Sequence, residues 1–153
     1  MAKKSNPAEE AKILLHLYEL RQEPCLRKAR SFMASEFWPS NYEEFKGLFF
    51  ESGTERNAFA RQALSFWDMA CTFVLSGAIS EEIFFQTNGE AWFLYVKFKN
   101  YLPQLRKEFI NPDLALNIEK VVTKSAKGKE RVKRMEAYIK VRAEKAAAAK
   151  AAS

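Results

Sequence analysis

The residues able to do chemistry are few in this chain, and their spacing argues against most reactions. A nucleophilic triad needs a histidine base, and His16 is the only histidine. It lies in ILLHLYEL, where it reads as a structural or surface residue on or beside the apolar face of a first helix. Di-metal carboxylate bundles need a Glu three residues before a His, but the position three before His16 is Ile13. Cys25 and Cys71 are the only cysteines and form no short ligand spacing, so neither a zinc site nor a disulfide framework is expected. They read instead as reduced, mostly buried thiols of a cytoplasmic protein. The glycines Gly47, Gly53, Gly77, Gly89 and Gly128 are all isolated, so no loop is built to wrap phosphates. Three carboxylate pairs occur, Glu9-Glu10, Glu43-Glu44 and Glu81-Glu82, each in the first turn of a predicted helix, where the dipole explains them. The expectation is a protein that is not an enzyme and has no cofactor and no metal.

Two polar constellations and one aromatic cluster remain. In ERNAFARQALSFWDMACTFVLSG, the residues Asn57, Arg61, Ser65, Asp68, Thr72 and Ser76 are spaced 4, 4, 3, 4 and 4, one narrow stripe on a helix of about six turns. Arg61, Ser65 and Asp68 in it are candidates to hold a small ligand or a partner helix. The competing reading is a solvent-facing edge, because an unpaired buried charge is too costly to be accidental. Near the C-terminus, Arg131, Lys133, Arg134, Lys140, Arg142 and Lys145 could meet phosphates by counterion release. A solvated basic extension is the alternative, since these charges are distributed around the helix and Tyr138 is the only aromatic among them. Phe37, Trp38, Tyr42, Phe45, Phe49 and Phe50 read as core, with part of the group available to a groove or a dimer surface.

The elements that must position these residues are helical. Asn6-Pro7 and Asn111-Pro112 are both cap-plus-proline helix starts, and Ser40 opens a capping box. Pro24 closes one helix and opens the next, and Ser52, Gly53 and Thr54 break the chain ahead of the Glu55–Ser76 helix. That helix is apolar over most of its circumference and belongs at the middle of a bundle, ending at the natural C-cap Gly77. Residues 92–98 favour strands by type, yet Ala91, Tyr95, Phe98 and Leu102 are spaced 4, 3 and 4, and no second good strand exists to pair with them. Helix is therefore expected, kinked or restarted at Pro103. The whole reads as all-α, a bundle of five to seven helices over residues 1–123, followed by a basic Ala/Lys-rich tail over 124–153, helical or partly disordered.

The charge is uneven. The net +6 divides into +8 from Lys120 onward, with 11 Lys/Arg against 3 Glu, and −2 in the residues before it. No apolar run is long enough to cross a bilayer, and the N-terminus lacks a small-residue cleavage site after its apolar part, so a signal peptide is not expected.

The segments FWDMACTFVLSGAISEEIFF and AWFLYVKFKNYLPQLRKE resemble a bacterial family of uncharacterised all-helical domains, a domain of unknown function. Phe66, Trp67, Asp68, Val74, Leu75, Gly77, Ile79, Glu81, Glu82 and Trp92 carry the resemblance, and LLHLYELRQEPCLRKAR fits upstream of them. It covers roughly residues 8–122 and leaves the tail outside; it implies packing and capping roles and brings no catalytic residues. The expected function is a non-catalytic interaction or scaffold protein, possible partners being a protein, a second copy of itself, or nucleic acid through the tail.

Overall fold

The computed structural model describes residues 6–50 and 53–153, so Ser52 and the basic start of the chain lie outside the described residues. Among the described residues every regular element is an α-helix: α1 (Pro7–Gln22), α2 (Pro24–Ser35), α3 (Tyr42–Phe50), α4 (Glu55–Leu75), α5 (Glu81–Thr87), α6 (Glu90–Phe98), α7 (Leu102–Glu108), α8 (Leu116–Lys124) and α9 (Ala126–Ala151). The expected five to seven helices undercount these nine. Asn88-Gly89 separates α5 from α6, and a turn before Pro103 separates α6 from α7. Proline has no N–H to give and clashes with the carbonyl one turn back, so the chain restarts a helix rather than kinking one.

α4 touches α2, α3, α6 and α8. Its inward side carries the large residues Leu64, Phe66 and Trp67 together with Ala60, Ala63, Ala70 and Cys71, small residues that let neighbours approach closely. Burial is not uniform along it, since Met69 and Leu75 are exposed on the side past α1. The aromatic group packs as a ring cluster: Phe37, Phe45 and Phe98 are fully buried, with Phe37 stacked on Phe98 at 5.3 Å and Phe45 on Tyr101 at 4.4 Å. Phe50 stacks on the exposed Phe109 at 4.5 Å.

The last helix lies along the body. α9 packs on α6 and α8 through one face that includes Val132 and Met135. Its entry is tight: Ser125 caps it by accepting from the Gly128 N–H at 3.1 Å, and the buried Gly128 offers its carbonyl to the Trp92 indole at 3.3 Å. Arg131 then lies 4.3 Å from the Trp92 ring centroid and donates to the Phe85 carbonyl at the end of α5, at 2.5 Å. Lys99 and Glu136 form an ion pair between the end of α6 and α9. Along α9, Glu130 and Arg134 stand 3.7 Å apart at i,i+4, whereas Glu136 turns inward to Lys99.

Candidate functional site

α2 has a basic outer side because its apolar residues are spent on burial. Leu26, Ala29, Phe32 and Met33 face the core, leaving Arg27, Lys28, Ser31 and Ala34 in water and Arg30 half-buried. α9 runs past that side, and between them opens a cleft of about 870 Å³. Arg27, Lys28 and Arg30 line it from α2; Met135, Tyr138 and Arg142 line it from α9. The carboxylate in the cleft, Glu90 at the start of α6, is already saturated by two guanidinium groups. Arg30 Nε lies 2.8 and 2.9 Å from its two oxygens, and Arg21 reaches Oε2 at 3.1 Å. Two arginines on one glutamate leave the cleft positive.

Arg27 and Lys28 lie on the solvated outer side of α2, as its fourth and fifth residues, with the N-cap residue Glu23 four positions before Arg27.

The candidate tail residues separate into groups. Arg142 enters the cleft, with its guanidinium 6.0 Å from the Trp38 ring. Arg131 and Arg134 line a second, 380 Å³ cleft on the same helix together with Lys127, Met135 and Tyr138. Desolvation holds the Arg131 pKa below its ordinary value, with Arg134 adding to the effect. Lys133, Lys140 and Lys145 are exposed and border neither cleft.

On α4, Arg61 and Ser65 are exposed, and Asp68 is half-buried. All three border a 380 Å³ cleft with Phe109 and Leu114, but the Asp68 carboxylate is already occupied. It accepts from the Asn117 and Ile118 backbone N–H groups, both at 3.0 Å, and from Asn117 Nδ2 at 2.8 Å. Asp68 thus caps α8 from a distant helix, because the residue at the α8 cap, Ala115, has no side-chain acceptor and sits at φ +56°. The helix expected from Pro112 begins only at Leu116 for the same reason. His16 is exposed and lies 3.5 Å from Glu19. Cys71 is buried, as expected of both thiols, but Cys25 is exposed and donates to Gln62 Oε1 at 3.2 Å.

One buried cation was not anticipated. Lys97 on α6 is 7 % exposed and has only carbonyl oxygens and aromatic faces around its ammonium. It donates to the Met33 carbonyl at 2.5 Å and the Phe37 carbonyl at 2.6 Å, and lies 3.4 Å from the Trp38 ring centroid. These carbonyls close the C-terminal end of α2, where a cation complements the dipole. Burial, with Arg142 as a smaller cause, pulls its pKa down to about 7.

Residues 7–125 match the family described as Domain of unknown function (DUF4760). The chain belongs to this family. No curated protein and no solved structure matches it. The DUF4760 match stops at the N-cap of α9, so the basic cleft has one wall inside the DUF4760 region and the other, α9, beyond it. Arg27 and Lys28 entered the sequence reading only as part of the segment LLHLYELRQEPCLRKAR. The signal that would have found the cleft is the 4, 3, 4 and 4 spacing of Lys127, Arg131, Arg134, Tyr138 and Arg142.

Proposed function

We propose that this DUF4760 protein is a non-catalytic binding protein of a reducing cytoplasm, that its working surface is the cleft between α2 and α9, and that its partner is a polyanion, nucleic acid first. The observation that carries this reading is the convergence of Arg142, from the basic C-terminal helix, with Arg27 and Lys28 on the outer side of α2. Cations brought to one cleft from two helices repel one another until an anion joins them, and phosphate backbones supply anions at high density. The exposed free thiol of Cys25 fits a reducing compartment. Among the described residues no helix is long and apolar enough to cross a membrane, and none of the His, Cys, Asp or Glu side chains gathers in a group of three that could hold a metal ion.

The test is fluorescence anisotropy of a labelled oligonucleotide against the full chain at low and raised salt. The expected outcome is binding that weakens steeply with salt, and a loss on the order of tenfold or more in the double variant Lys28→Glu, Arg142→Glu. Both residues are exposed, so circular dichroism should show the variant folded. No binding at low salt, or binding indifferent to the double variant, overturns the reading.

A further inference from the structure

The two basic clefts are not separate features. Tyr138 and Met135 line both of them, so the first cleft, with Arg27, Lys28 and Arg142, adjoins the second, with Lys127, Arg131 and Arg134, along α9. From Lys127 to Arg142 the track runs along one face of α9 for about 22 Å at 1.5 Å per residue. At its junction stands Tyr138, half its surface exposed at 50 %. Its neighbours Val132 and Met135 pack against the core, but no hydrogen bond or ring contact engages Tyr138 among the described residues. A ring half exposed between two groups of cations keeps part of its surface free of packing. It is well placed to stack on a flat apolar face carried by a chain of phosphates.

We propose, on the basis of the polyanion reading above, that the track takes single-stranded nucleic acid, with phosphates on the cations of both clefts and a base stacked on Tyr138. A duplex presents phosphates but keeps its base faces stacked inside, and inorganic polyphosphate has no faces to offer. Only an unpaired strand uses the ring and the cations together. Because every base has a π-face, the preference is for strand state and not for sequence.

The experiment measures three ligands against the unaltered full chain by anisotropy and competition: a labelled single strand of about a dozen nucleotides, the duplex of the same sequence, and inorganic polyphosphate. The single strand is expected to bind about tenfold more tightly than the duplex and to resist displacement by polyphosphate. Tyr138→Ala is expected to lose about tenfold on the single strand and to leave duplex and polyphosphate binding unchanged, with Tyr138→Phe retaining the single-strand affinity. Equal affinity for single strand and duplex overturns this proposal and leaves the polyanion reading standing. So does single-strand binding indifferent to Tyr138→Ala. Binding of none of the three ligands overturns both. The ligand comparison on the unaltered chain decides the matter even if a Tyr138 variant fails to fold.

Discussion

Lys97 is the residue whose environment departs most from what its type would choose. In water a lysine holds its proton to about 10.5, whereas burial and the nearby Arg142 bring this one to about 7. Between those values the unfolded chain binds the proton and the folded chain does not, so folding stability rises with pH across that window. Below about 7 the folded protein bears the full cost of a buried ammonium, moderated by the Met33 and Phe37 carbonyls and the Trp38 face. Urea denaturation at about pH 6 and about pH 9.5 should therefore show the wild type gaining on a Lys97→Met variant as pH rises, a trend set by linkage. A constant gap between the two proteins would refute it. The sequence did not show this cage. A lysine in WFLYVKFKN gives no sign that the carbonyls of Met33 in α2 and of Phe37 just past it will be its acceptors, because those partners are 64 and 60 residues away in the chain. Asp68 was legible as unusual but not as a cap, since its acceptance of the Asn117 and Ile118 N–H groups depends on where α8 docks.

At the level of elements, the cap at Asn6 was legible, but Thr54 read only as part of a break, and the residue that accepts from the Glu44 N–H at the start of α3, at 2.9 Å, is Asn41 and not Ser40. Asn6, Thr54, Ser80 and Ser125 all accept from N–H groups two or three residues ahead, and each marks a helix start. The α7–α8 connection was misread because Asn111-Pro112 resembles such a start while the true cap is tertiary. Two glycines separate the same local and tertiary effects experimentally. Gly47 is exposed within α3, and an added Cβ would meet nothing within 4 Å. Gly47→Ala should stabilise the protein by up to about 1 kcal/mol, through helix propensity alone. Gly128 lies at the entry to α9, where an added Cβ would stand 2.6 Å from the Val122 carbonyl oxygen. Gly128→Ala should cost about 1–3 kcal/mol, because the backbone of α8 or α9 must shift. Thermal melts of the two variants should move in opposite directions, and a matched shift would contradict this account.

For the whole molecule, the question is whether residues 126–153 are an appendage or part of the body. α9 covers Trp92, supplies Arg131 to the last carbonyls of α5, and pairs Glu136 with Lys99. A chain ending at Ser125 should melt well below the full chain and bind a hydrophobic dye, because the Trp92 side of α6 would be laid open. An unchanged melting temperature would show that the body closes without α9. Charge-reversal variants are consequently the sound way to probe binding, since truncation removes packing along with charge. The two cysteines, finally, give the protein a ready means of observation. Cys71 is fully buried, with its thiol pKa pushed up by burial and by Asp68, whereas Cys25 is exposed and adjoins Pro24 on the cleft rim. Thiolate is the reactive form, and burial keeps Cys71 from that form and from reagents in solvent. A thiol-directed fluorophore would therefore attach at a single natural address, beside the surface where a ligand is expected to arrive, with no residue added or removed.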